Sequence, residues 1–329
     1  MSAGPVVSVV IVSWNVREDV LRCLASLAAD PTMPPHEVVL VDNASVDGTA
    51  DAVRRGHPHV HVVANTRNEG FPRANNRGVA STRGRHVLFL NPDTEVQPGA
   101  VAACLASLEE DARVGASGCR LLLPDGTTQL ECARRHYRLG DLATELLGLH
   151  VLFPRHPRLA RHLMGDWDHA GVRDVEAVSG AFLMVRRTVL DRIGGMPEDL
   201  FMYFEDGALC ARIGRAGYRI RYRGDVTTLH HHGRSSAQAP AWISLLEVEA
   251  KRRLVAEVQG PAAAAAARGL LGVRAAIRLV VSLPLTLVPA SAALRRRRPR
   301  IFDVRAHALQ LAWALWPPFG RARIPRGTA

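Results

Sequence analysis

Apolar positions in the first ninety residues fall into short unbroken runs separated by segments of helical spacing. Val6 to Ser13 (VVSVVIVS) is rich in β-branched residues, as a strand buried on both faces of a parallel sheet must be. After Asn15, the residues Val20, Leu21, Leu24 and Leu27 recur at helical spacing, and Pro31, Pro34 and Pro35 close that helix. Glu37 to Asp42 (EVVLVD) predicts a second strand, Asn43 to Gly48 a turn, and Thr49 to Arg55 a second helix. His59 to Ala64 and His86 to Leu90 predict two further strands. Strands alternating with helices predict βαβ units and an α/β fold with a doubly wound sheet.

The pattern weakens further on. Leu121 to Gly171 shows no clear period. Val178 to Val185 resumes an apolar run, Val189 to Ile193 and Ala208 to Ala216 predict helices, and Tyr218 to Tyr222 predicts a strand. Ala262 to Ala267 is an alanine run, a good helix former. Leu279 to Leu294 is apolar, interrupted by Pro284 and Pro289 and followed by Arg295 to Arg298. That stretch is shorter than the roughly 20 residues a spanning helix needs. Two readings stand: a segment in the membrane interface, or a helical hairpin packed on the body.

Composition adds three constraints. A chain of 329 residues has room for one large α/β domain and an appendage. Cys23, Cys104, Cys119, Cys132 and Cys210 are scattered without CxxC spacing, which predicts buried or free thiols in a reducing compartment. Residues 1–5 lead directly into the first strand without a basic region or cleavage site, so a cytoplasmic protein is expected. The net charge of +11 is unevenly placed: from Lys251 onward fifteen Lys and Arg face only Glu257 and Asp303, a net +13, which leaves −2 for residues 1–250. A basic tail suits anionic lipid, nucleic acid or a solvated face, and the scarcity of interleaved aromatics argues against nucleic acid.

Four constellations carry candidate chemistry. Asp42-Asn43-Ala44-Ser45 follows a strand, where an aspartate can accept from a pyrimidine N3–H; taken alone, the motif is better accounted for by an Asx turn that caps the next helix. Asn91-Pro92-Asp93-Thr94 follows another strand and offers the carboxylate that Mg²⁺ or Mn²⁺ takes beside phosphate oxygens, or else forms a simple Pro-Asp turn. Phe201 to Asp206 (FMYFED) sets two acids behind an aromatic run, a setting for a general base or for acids at a helix N-terminus. His230 to Ser235 (HHHGRS) offers imidazole for metal and Arg or Ser for phosphate.

The order of the motifs carries more than any one of them. VSVVIVSWN, VVLVDNASVDGT, NEGFPRANNRG, VLFLNPDTEV, VSGAFLMVRR, FMYFEDGALCARIGRAGYRI and LHHHGRSS, in that sequence, resemble the family 2 inverting glycosyltransferases, and most of all their rhamnosyltransferase branch. The resemblance covers Val7 to Arg253. It implies a GT-A fold, a Rossmann-like, mostly parallel central sheet flanked by helices, over residues 1–255. Residues 256–329 are then a basic, helical, membrane-associated C-terminal extension. It implies nucleobase contact by Asp42, with Ser13, Asn15 and Asn43 near the nucleotide, and Asn68 and Arg73 near the nucleotide or donor sugar. Asp93 then matches the metal acid of a DxD-like motif whose first position is Asn91. Asp206 matches the general base, Glu205 supports the acceptor site, and His230 completes the metal or diphosphate site, with His231 as the neighbouring alternative. The family pattern reads ED-x-D-L, whereas Ala208 replaces the second acid here; that acid is expected to support the helix, partnering an arginine such as Arg212.

The implied reaction is a single in-line displacement with inversion, dependent on divalent Mn or Mg. The implied donor is dTDP-L-rhamnose, with UDP-linked sugars as rivals. The implied acceptor is a saccharide, including a polyprenyl-diphosphate-linked one, at the inner face of the cell membrane. A nucleotidyltransferase would be expected to open with a glycine-rich phosphate loop, which Ser13-Trp14-Asn15 does not provide. A non-catalytic sugar-nucleotide-binding protein remains the alternative that Ala208 keeps open.

Overall fold

The fold is known from a computed structural model, which describes residues 4–231, 243–285 and 303–316. Strand β1 (Val7–Ser13) is buried along its whole length, as its unbroken apolar run requires. It pairs in parallel with β2 (His36–Asp42) on one side and β4 (His86–Leu90) on the other, and β3 (His61–Ala64) extends the sheet beyond β2. Helices α1 (Arg17–Ala29), α2 (Thr49–Gly56) and α3 (Phe71–Ala80) make the crossovers. The register sets Ser13 beside Asp42 and Ile11 beside Leu90. The carboxyl ends of three central strands therefore open on one edge, where open α/β sheets bind ligands.

Beyond β4 the sheet becomes mixed. Strand β10 (Phe182–Arg186) enters antiparallel between β4 and β6 (Val114–Leu122), and β11 (Arg219–His230) runs parallel to β6. Strands β5 (Thr94–Val96) and β8 (Val172–Val175) add antiparallel to β11. Among the described residues this makes a nine-stranded sheet in which six strands point one way. A separate ribbon pairs β7 (Ala133–Arg134) with β9 (Ala177–Val178). All five cysteines are free and buried.

Several elements differ from the sequence pattern. The apolar run at 178–185 is not one strand: it breaks between β9 and β10, because Gly180 is packed against Asp206, whose Cβ lies 3.2 Å from where a Gly180 Cβ would be. The strand expected at 218–222 continues to His230, with a register shift between Arg223 and Thr227. The helix expected from Ala208 starts earlier, as α8 (Glu205–Arg215). The irregular stretch 121–171 contains β7, α5 (Leu139–Leu146) and the short α6 (Leu149–Leu152).

The C-terminal part packs onto the body. Helix α9 (Ile243–Gln259) lies against α8, and α10 (Pro261–Leu285) contacts α9, α5 and α11 (Val304–Leu315). The boundary expected at residue 255 falls inside α9. Pro284 does not end α10 but lies inside it. Residues 286–294, Arg295 to Arg298, and His232 to Ser235 lie outside the described residues. Among the described residues no helix is long and apolar enough to cross a membrane. A second apolar cluster joins Tyr137, Leu142, Ala208, Leu254, Leu271 and Trp313. Ala208 therefore faces an apolar partner helix. The arginine that a second acid would have met, Arg212, is met instead by Glu257 of α9 at 3.3 Å.

Ala208→Asp, which restores the family pattern, should destabilise this protein by about 3 kcal/mol or more, because it buries a carboxylate among apolar side chains. Chemical denaturation of the two proteins measures the difference.

Candidate active site

Three clusters converge at the carboxyl edge of the sheet. At the end of β1 and β2, Ser13 Oγ donates to Asp42 Oδ1 at 3.2 Å, and Asp42 Oδ2 accepts from the Ser45 amide at 3.2 Å. Asn15, with φ +54°, donates its backbone N–H to Ser45 Oγ at 2.9 Å and accepts the Val46 N–H on Oδ1 at 2.8 Å. Asn43 is buried and shapes the next loop: its Nδ2 donates to Asn68 Oδ1 at 2.8 Å, and its Oδ1 accepts from the Asn65 side chain and the Glu69 amide, each at 3.0 Å. Asn68 in turn accepts the Gly70 N–H at 3.0 Å. Arg73 points to the surface and pairs with Glu198 at 3.2 Å.

The second cluster pairs the β4 and β11 ends. His230 Nε2 lies 3.2 Å from Asp93 Oδ1 and 3.4 Å from Asn91 Nδ2. On the other side of the ring, His230 Nδ1 faces Gln129 Oε1 at 2.7 Å. With Nδ1 donating to that amide oxygen, a neutral imidazole turns its Nε2 lone pair toward the Asp93 carboxylate. Carboxylate and imidazole lone pair facing one another, both buried, form a donor set that suits a divalent cation, with the outer ring nitrogen held by an amide. Of the two histidines, His230 is the one at this place; His231 pairs with Glu95 at 2.6 Å.

The third cluster is the acid pair. Tyr203 and Phe204 both have left-handed backbone (φ +74° and +60°), a strained entry into α8. Asp206 accepts from Arg134 at 2.7 Å and from the Gly180 N–H at 2.8 Å on Oδ2, and from the Gly207 N–H at 2.6 Å on Oδ1. Glu205 is buried, and its Oε2 makes no hydrogen bond to any of the described residues. Burial first, and then the charge on Asp206, push its carboxyl up to about 8. The clusters are stitched together by backbone. Asn91 N–H donates to Ala181 O at 3.0 Å, next to the Gly180 that binds Asp206. Phe71 N–H donates to Phe201 O at 2.8 Å, tying the Asn68 loop to the aromatic run before the acids.

Residues 8–194 match the family model described as Glycosyl transferase family 2. The chain belongs to that family. N-acetylglucosaminyl-diphospho-decaprenol L-rhamnosyltransferase from Mycobacterium tuberculosis is 31% identical over 247 residues, which cover 72% of this chain and 79% of that one. O-antigen chain rhamnosyltransferase WbaN from Salmonella anatum is 26% identical over 63% of this chain and 60% of its own length. These relatives put the chain in the rhamnosyltransferase-like branch. Among solved structures, the mannosyltransferase PcManGT from Pyrobaculum calidifontis, in complex with GDP-Man and Mn²⁺, superposes with a TM-score of 0.55 at 21% identity. The match covers 96% of this chain and 88% of that one, a likeness that speaks for the GT-A fold.

Two residues of this family 2 glycosyltransferase escaped the sequence reading. Arg134 and Gln129 both come from the aperiodic stretch 121–171, yet Arg134 is buried on Asp206 and Gln129 is buried on His230. The sole signal was the basic pair Arg134-Arg135 in a segment without apolar period, too common a pattern to single out.

The Glu205 shift has a definite sign. Between its ordinary value of 4.5 and about 8, folded protein holds a proton that unfolded chain has released. Stability from this group therefore falls as pH rises through that window, by up to about 1.4 kcal/mol per pH unit. Glu205→Gln should flatten the decline, raising the unfolding temperature relative to the parent at pH 8 and converging with it at pH 5; parallel thermal melts across that range check it.

Proposed function

We propose that this glycosyltransferase transfers L-rhamnose from dTDP-rhamnose, with inversion, to a saccharide acceptor carried on a polyprenyl diphosphate, in cell-envelope polysaccharide synthesis at the inner face of the membrane. The transferred sugar and the acceptor class follow the mycobacterial relative, whose name specifies L-rhamnosyl transfer and a diphospho-decaprenol, and dTDP as carrier follows the family resemblance. On this reading residues 1–255 are the catalytic unit and 256–329 its membrane-associated extension. Asp42, with Ser13, Asn15 and Asn43, receives the nucleoside, and the Asn68 loop, with Arg73 at its flank, approaches the donor. The observation that carries the reading is the joining of Asn91–Asp93 to Asp206 through Gly180 and Ala181, which sets a leaving-group site and a base on either side of one backbone turn.

Asp93 and His230, with Asn91 beside them, are the residues that would hold divalent Mn or Mg; PcManGT was solved with Mn²⁺. The ion supplies positive charge opposite the departing diphosphate. Asp206 takes the proton from the acceptor hydroxyl. A carboxylate offers about four lone-pair directions, and three protein donors leave one open on Asp206. Arg134 keeps the carboxylate oriented and compensates its charge. Glu205, protonated near neutrality, cannot serve as the base, but can donate a hydrogen bond to the acceptor.

Asp206→Asn should lower turnover by about 10²–10⁴-fold, while Glu205→Gln, which imitates the protonated acid, stays within about tenfold of the parent. The reverse ranking, measured as nucleoside diphosphate release, would move the base to Glu205. Chelation should abolish transfer and added Mn²⁺ restore it, and Asp93→Ala should remove the response to added metal; turnover undiminished in chelator would refute metal dependence.

A further inference from the structure

Helix α10 buries Ala264, Ala267, Leu271 and Ala275, yet its outward face is apolar as well. Every exposed residue from Pro261 to Pro284 is apolar, and none of its arginines is exposed. The outward stripe includes Val273, Ile277, Val280, Val281 and Leu283, each at least half exposed and Val280 71% exposed. Arg274 is buried and donates to Glu145 Oε1 at 2.7 Å, and Arg268 donates to the α11 carbonyls of Trp313 and Ala314 and to Trp316 O. Helix α11 is mixed: Trp313, His307 and Gln310 are buried, while Leu309 and Leu315, and Trp316 just after the helix, are exposed along with Arg305. A helix on a water-soluble body turns charged and polar residues outward instead. A third exposed apolar group, Leu147, Val151, Leu152 and Phe153, follows α5, against which α10 packs, and leads into exposed Arg155 and Arg158.

We propose that the outward face of the α10–α11 pair, with the 147–153 turn, docks on an anionic phospholipid bilayer and lies in its interface. This rests on the membrane part of the reading above and names the surface responsible. Charge decides between lipid and a second copy of the chain. The connection 286–302 carries five arginines and no acid, and residues 317–329 add three more. Two copies would bring like charge together, whereas acidic headgroups complement it. Exposed tryptophan at the border of an apolar face suits the headgroup level. The face is also mechanically close to the acids. Glu145 receives Arg274 and Lys251, and the Lys251 ammonium lies 6.0 Å from the ring of Phe204, the residue before Glu205. Docking there holds the acid pair at a set height above the lipid from which a polyprenyl-linked acceptor projects.

The test is co-sedimentation of the full chain with vesicles of phosphatidylcholine alone or mixed with phosphatidylglycerol. The native protein should bind the mixed vesicles and be released by salt, and Ile277→Glu/Val280→Glu should bind about tenfold more weakly or less. Both positions are exposed, so the melting temperature should not change, and nucleoside diphosphate release with a water-soluble acceptor should persist. A second measurement needs no substitution in α10: vesicles with brominated acyl chains should quench the native protein's tryptophan fluorescence, and Trp316→Phe should reduce that quenching. Unaltered vesicle binding by the folded double variant overturns the proposal. So does a native dimer that the double variant converts to monomer, which would assign the face to a second copy. Loss of transfer with vesicle binding intact would instead strike the enzymatic reading.

Discussion

The carboxylate of Asp206 is the junction that joins α8 to the 121–171 segment and to the turn before β10. It gathers a guanidinium from β7, a backbone N–H from the turn between β9 and β10, and the Gly207 amide of its own helix. Removing one partner of such a buried pair costs about 3–5 kcal/mol, because the other charge is left uncompensated. The pair ties the 121–171 segment to α8, where Tyr137 and Leu142 also pack in one apolar cluster with Ala208. The apolar run at 178–185 is interrupted for the same reason. A side chain at position 180 would press on Asp206, whose Cβ lies 3.2 Å from where a Gly180 Cβ would be.

A charge held at one acid changes its neighbour. Asp206 is compensated by Arg134, while Glu205, one residue away, is buried and pushed up to about 8. Burial and the neighbouring Asp206 thus set the Glu205 carboxyl well above the usual carboxylate range. The β4 and β11 ends use the same economy of position. Gln129 holds one ring nitrogen of His230 and so directs the other toward Asp93. Asn43 fills an equivalent supporting role after β2, where its amide is spent on the 65–70 loop.

The C-terminal helices are coupled to this site. Helix α9 packs over Ala208, and its Glu257 answers Arg212 and Arg215. The loss of the family's second acid is thereby matched by an acid from another helix. The charged groups of α10 are spent on Glu145 and on the carbonyl ends of α11, which leaves its outer face apolar.

Much of the catalytic body was legible in the chain. Continuous β-branched runs can be buried only in a doubly covered sheet, and the acids that follow such runs must emerge at its carboxyl edge; Asp42 and Asp93 were readable for that reason. The order of seven motifs then carried the family, and the split of +13 against −2 marked the tail. What the chain alone left open depended on contacts between residues far apart in sequence. Arg134 and Gln129 lie in a stretch with no period because they pack on side chains 72 and 101 positions away, not on a regular face of their own. His230 and His231 are equivalent as letters, and the alternation of a strand turns only one of them toward Asp93. Nor does an apolar stretch say which of its sides is outermost: the tertiary packing of α10, by drawing its arginines inward, decided that its apolar face looks out.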